Sequence, residues 1–154
     1  MRQYRGIPIE EEESEFVYGG HCELGDRAFI VPPDAEYDPD YGGFEPVILG
    51  VIEVRPETVS QYIGLRDKNE KEIYGTLDNE GGDIVRLFDE EVGTITQDGI
   101  FGSWGIINHK HFRSVENIYV AFLDKTGLFS AKISDMWEVI GNTHQNPELL
   151  ESKE

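Results

Sequence analysis

Apolar residues in this chain recur in short runs broken every few residues by Gly, Pro, Asn or Asp, and no long stretch keeps a 3.6-residue period. That pattern predicts short strands joined by turns. Phe16–Tyr18 and Ala28–Val31 read as strands on either side of Gly25-Asp26, and Pro32-Pro33 ends the second. Asp34–Gly43 reads as a polar, turn-rich loop, and Val47–Val54 as one further strand. Pro56–Leu65 is the best helix candidate. Pro suits a first helical turn and Glu57 complements the dipole there, while Val59, Tyr62 and Ile63 fall at i, i+3 and i+4 and Gly64 can terminate it. Asp67–Glu70 then reads as a turn and Glu72–Tyr74 as a short extended piece.

From Gly82 the expected strands are more closely spaced: Asp83–Phe88, Val92–Thr96, Phe101–Ile107, Ile118–Leu123, Leu128–Ile133 and Val139–Ile140. Asp98-Gly99 is a strong hairpin signal. Ile118–Leu123 is apolar on both faces, as a central buried strand would be. Five or six such strands fit a small SH3-like barrel. Asn146 can cap a short helix opened by Pro147, and the chain from Ser152 is expected to fray. The fold class predicted is therefore mainly β. An N-terminal β-rich subdomain covers residues 1–65, with a short helix over 56–65. Residues 66–81 form a linker or loop, and an SH3-like barrel covers 82–154 and ends in a short helix.

Composition changes this picture mostly through charge. The 154 residues carry 31 acidic and 13 basic side chains, a formal net charge of −18. A compact chain of this length buries about 70% of the surface its unfolded form exposes, enough for a real core. Lys and Arg stand singly or beside acids, so direct nucleic-acid binding is not expected, and any heterologous partner should be basic. The acidic run at Glu10–Glu13 reads as a solvated loop. Cys22 is the only cysteine, which rules out an intramolecular disulfide and suits a reducing compartment. No basic start followed by an apolar run suggests a signal peptide, and no apolar segment approaches the ~20 residues of a membrane span.

Candidate chemistry is sparse. His109 and His111 share a strand face by spacing, with His21 or Asp98 as a conceivable third ligand, but solvated loop histidines explain the pair better. His21 beside Cys22 is poorly placed to activate it, because neighbours on a strand point to opposite faces. The glycines of Gly99–Gly105 lack the Lys-Ser/Thr of a phosphate loop and suit strand bends. Asp89-Glu90-Glu91 has no calcium-loop spacing. No catalytic, cofactor-binding or metal-ligating residue is assigned, and no cofactor is expected. Phe101 and Trp104 are the candidate protein interface. Flanking glycines would leave the Trp104 ring uncovered, and tryptophan is enriched where partners dock, although a core role is the plainer explanation.

Three motifs carry a resemblance. They are Thr58-Val59-Ser60-Gln61-Tyr62-Ile63-Gly64-Leu65 with Asp67-Lys68-Asn69-Glu70-Lys71-Glu72-Ile73-Tyr74, then Gly82-Asp83-Ile84-Val85-Arg86, and finally Glu138-Val139-Ile140-Gly141-Asn142 with Asn146-Pro147-Glu148-Leu149-Leu150. Together they resemble the YopX family, small proteins of phages and prophages of Gram-positive bacteria. Tyr4-Arg5-Gly6 and Glu15-Phe16-Val17-Tyr18-Gly19 resemble its N-terminal elements, with Phe16 in place of Trp. The chain departs from the family at Gly75–Glu80, an interposed segment read as a lengthened surface loop. The resemblance implies an accessory protein made in a bacterial cytoplasm and assigns no activity. The leading expectation is a non-enzymatic module that binds a protein, another copy of itself included, through sheet edges or the Phe101/Trp104 region. The alternative is an acidic DNA mimic or inhibitor of a host nucleic-acid-binding protein.

Overall fold

The computed structural model describes residues 3–10, 15–76, 82–87, 91–97, 104–108, 111–114 and 137–150. These are mainly β, with only short 3-10 turns as helical structure. The backbone divides into two compact units, Met1–Gln61 and Tyr62–Glu154.

In the first unit, β1 (Tyr4–Gly6), β2 (Val17–Leu24), β3 (Arg27–Val31) and β6 (Ile52–Val54) form an antiparallel sheet in the order β6-β3-β2-β1. The start of β7 (Ser60–Arg66) joins beside β1, with Tyr4 opposite Gln61 and Arg5 opposite Ser60. Ala28, Ile30 and Val54 form the buried cluster, and Tyr4, Val17, Ile52 and Val59 pack against it. Arg5 is buried too. Its Nε donates to Ser60 Oγ at 2.9 Å, and its guanidinium lies 4.1 Å from the centre of the Phe16 ring. That stack satisfies a charge and covers apolar surface at once. The two N-terminal motifs thus meet as paired strands, Arg5 opposite Tyr18.

Val47–Val54, expected as one strand, is two. β5 (Val47–Leu49) and β6 are separated at Gly50, whose φ of +91° turns the chain out of the extended region. β5 pairs with β4 (Glu36–Asp38), which lies inside the segment read as loop. The predicted helix over 56–65 is also corrected. Only Pro56–Thr58 makes a 3-10 turn, and Ser60–Arg66 is strand. Pro56 and Glu57 do start a helical turn, but the β-branched and aromatic residues that follow favour extended backbone. Ile63 and Leu65, two apart, are the side chains that reach the core.

From Tyr62 that strand runs in the second unit beside β8 (Glu72–Gly75). The linker expected over 66–81 is therefore corrected for its described part. Ile73 and Tyr74 are fully buried, and Gly75 and Thr76 lie in β8 and in a parallel bridge to Thr96 rather than in a surface loop. Residues 77–81 lie outside the described residues. A second antiparallel sheet runs β12 (His111–Ser114), β11 (Trp104–Asn108), β10 (Val92–Gln97), β9 (Asp83–Arg86), β13 (Glu138–Asn142). β10 and β11 pair antiparallel, as the Asp98-Gly99 signal implies, though those two residues lie outside the description. So do Ile118–Leu123 and Leu128–Ile133. Ile73, Val85, Leu87, Ile95, Ile106 and Trp137 form the core, each worth about 1.5–3 kcal/mol on burial.

Candidate functional site

Three buried polar residues hold the second unit together. Asp67 is buried, and its Oδ1 accepts from the Asn69 and Lys71 amides at 2.8 and 2.9 Å. Its Oδ2 accepts from the Val139 amide at 2.8 Å, 72 residues away in sequence. Asp83 is also buried, and its Oδ2 accepts from the Tyr74 amide at 2.8 Å. Asn142 Oδ1 accepts from the His144 and Gln145 amides at 3.1 and 2.9 Å, and its Nδ2 donates to Gln145 Oε1 at 2.8 Å. Asn146 was expected to cap the last helix. Its backbone carbonyl does accept from Leu149 in the 3-10 turn Pro147–Leu150, while its side-chain Oδ1 reaches back to the Asn142 amide at 3.3 Å. A Cβ at Gly141 would stand 2.6 Å from that Oδ1, so the close approach needs glycine. In each case the polar side chain faces backbone amides, where it fixes turns and strand ends.

Trp104 opens β11 opposite Gln97 and is half-buried against the core of the second unit. Phe101 lies outside the described residues, as do Asp98, His109, Asp89 and Glu90, most of the Gly99–Gly105 run and Glu11–Glu13. His111 begins β12 opposite Asn108. His21 stacks on Tyr4 with ring centres 5.1 Å apart, and its Nε2 lies 3.6 Å from Glu23 Oε1. Cys22 is exposed on β2 opposite Phe29. Among the described residues no three His, Cys, Asp or Glu side chains converge as a metal site would require.

The large exposed apolar side chains concentrate elsewhere. The β4–β5 ribbon has three residue pairs: Glu36 opposite Leu49, Tyr37 opposite Ile48, and Asp38 opposite Val47. Its tip is a tight turn. Asp38 Oδ1 accepts from the Asp40 amide at 3.0 Å, Gly43 and Phe44 close back on Asp40 and Tyr41, and Gly42 and Gly43 have φ of +63° and +77°. Tyr37 and Phe44 are 68% and 84% exposed, and Tyr41, Ile48, Leu49 and Val51 are exposed with them. Single exposed apolar residues mean little, but six fall within fifteen positions of the ribbon and its flank, and Tyr37 and Ile48 among them are a cross-strand pair on one face that a partner can cover. The sequence reading missed it because Asp, Glu, Pro and Gly dominate the segment and mark it as turn.

A family model described as YopX protein matches residues 34–151. The chain belongs to the YopX family. The YopX match takes in the exposed ribbon and the buried Asp67, Asp83 and Asn142. No curated protein matches the chain. Within the YopX match, then, the quoted motifs run from Thr58 through the scaffold of the second unit, and the most exposed large apolar side chain among the described residues, Phe44, lies between β4 and β5.

Proposed function

We propose that this chain is a phage or prophage accessory protein of the bacterial cytoplasm that works as a non-enzymatic protein-binding module. The observation that carries this is the β4–β5 ribbon, which holds Tyr37, Tyr41, Phe44 and Ile48 in solvent. Aromatic side chains are what partner-binding surfaces use as anchors. A second support is the use of the buried carboxylates. Asp67 and Asp83 are engaged by backbone amides, which suits scaffolding rather than proton transfer.

On this reading the second unit is an SH3-like barrel. What supports it is the order β12-β11-β10-β9-β13, in which the last strand returns to pair with the first strand of that sheet. The DNA-mimic alternative needs an unbroken row of carboxylates. Bulky apolar side chains interrupt the row on the ribbon, which favours a partner with apolar groups of its own.

The test is site-specific photocrosslinking of the full chain in a bacterial host. A photoreactive phenylalanine analogue at position 44 is expected to give a discrete protein adduct, and the same analogue at Glu57, also exposed, is expected to give none. Absence of any adduct at 44, self-adducts included, overturns the proposal.

A further inference from the structure

We propose that the occupant of the β4–β5 ribbon is a cationic protein segment, one that presents arginine or lysine interleaved with apolar side chains. This rests on the ribbon being the binding surface and adds the chemistry of what it binds.

The argument begins with a gap in the sequence. Between Arg27 and Arg55 there is no Lys, Arg or His. The ribbon and its flanks carry Asp34, Glu36, Asp38, Asp40 and Glu45 in that gap, together with three aromatic rings. Asp34, Glu36, Asp40 and Glu45 are all exposed. Within β4 the ring of Tyr37 and the carboxylates of Glu36 and Asp38 take opposite faces, while Asp40 and Tyr41 are neighbours in the turn, so the ribbon carries rings and carboxylates on the same short element. An aromatic face carries partial negative charge, so rings and carboxylates both attract cationic side chains, and a ring adds apolar area under a guanidinium stem. Among the described residues an arginine meets an aromatic ring at two places. Arg5 stacks on Phe16, and Arg27 stands 5.3 Å from the Phe29 ring centre.

Charge complementarity also chooses between occupants. A second copy would bring the same acidic ribbon and a net charge of −18 to the contact. Nucleic acid would bring phosphates against carboxylates. A basic segment gains attraction at long range and ring contact at short range. Two-stranded ribbons of three pairs are marginal in water, so a covering partner should also order this one.

The experiment is fluorescence anisotropy with the full chain and three short synthetic peptides: arginine alternating with leucine, arginine with serine, and glutamate with leucine. The arginine–leucine peptide is expected to bind best, the arginine–serine peptide more weakly, and the glutamate–leucine peptide not at all. Binding should weaken as salt rises. The variant Tyr37→Ser/Phe44→Ser should lose about tenfold in affinity, as truncation of anchor side chains does. Two triple variants remove the same number of charges. Asp34→Asn/Glu36→Gln/Glu45→Gln should weaken binding, and Glu57→Gln/Glu70→Gln/Glu148→Gln should leave it nearly unchanged. An unchanged urea midpoint shows that each variant is folded.

Equal losses from both triples would assign binding to overall charge and overturn the proposal. Binding insensitive to Tyr37→Ser/Phe44→Ser, a dimer that dissolves on that change, or tight duplex binding at physiological salt would each overturn it as well. A position-44 adduct with a neutral or acidic protein would leave the interaction module standing and sink the cationic partner alone.

Discussion

The core of the second unit and the β4–β5 ribbon treat the same residue types in opposite ways. Trp137 is 0% exposed, and Phe44 is 84% exposed. Asp67 sits in the interior with three amides around its carboxylate, whereas Asp38 accepts a single amide in a surface turn. One region uses aromatics and acids to fix the backbone, and the other holds them in water. The difference separates what makes the fold from what the fold displays, and the motifs that identify the family lie mainly on the first side.

The largest effect that would test this contrast is an aromatic deletion made in both regions. Trp137→Ala should cost about 3–5 kcal/mol, as large-to-small changes at filled core positions do. Phe44→Ala should stay within about 0.5 kcal/mol, as surface changes do. Urea denaturation of both variants decides it, and a comparable loss from Phe44→Ala would mean the ribbon is part of the core.

Acids give the next largest difference. Asp67→Ala leaves three backbone amides without their charged acceptor and should destabilise by about 3 kcal/mol. Asp38→Ala exposes its amide to water and should cost under about 1 kcal/mol. Hydrogen exchange sharpens the same point, since the Val139 amide should lose protection in Asp67→Ala. An unprotected Val139 amide in the parent chain would show that the Asp67 contact does not bind the two segments together.

How much of this was legible in the sequence follows from the range of the interactions. Strand content was legible, because Val17, Ala28–Val31, Ile84-Val85 and Val139 carry their signal in their neighbours. The helix over 56–65 misled because Val59, Tyr62 and Ile63 satisfy a helical spacing, while Ile63 and Leu65 satisfy a strand spacing in the same segment. Nothing local marked Trp137 as core, since Asp135 and Glu138 stand close to it in sequence. Asp67 and Asp83 were visible as motif residues, but their burial depends on partners up to 72 residues away. The ribbon was hidden by its own turn chemistry.

The smallest expected effect lies in two surface carboxylates held by ion pairs, Glu53 in the first unit and Glu138 in the second. The hydrogen bond from Arg27 holds the Glu53 carboxyl below its ordinary range, and those from Arg86 and then Lys68 do the same for Glu138. Arg27 Nε lies 2.7 Å from Glu53 Oε1, and Arg86 Nη2 lies 2.6 Å from Glu138 Oε2. A depressed carboxyl adds stability that is fully present above the unfolded pKa, about 4.3, and is lost as pH falls through the lower folded value. Glu53→Gln and Glu138→Gln should therefore flatten the acid limb of the stability curve slightly and leave its neutral region almost unmoved. A steeper acid limb in either variant would contradict the assigned direction.

The return of β13 to pair with β9 has a consequence for the order in which the chain is made. Among the described residues the strand partners of β1, β2, β3 and β6 lie within the Met1–Gln61 unit, so that unit can close soon after its last residues leave the ribosome. The second sheet waits for residues 138–142, and Asp83-Ile84-Val85-Arg86 must stay uncovered along one edge until they arrive. At an elongation rate of about 5–20 residues per second, that interval is several seconds of exposed β edge, the period in which a nascent chain depends most on chaperones.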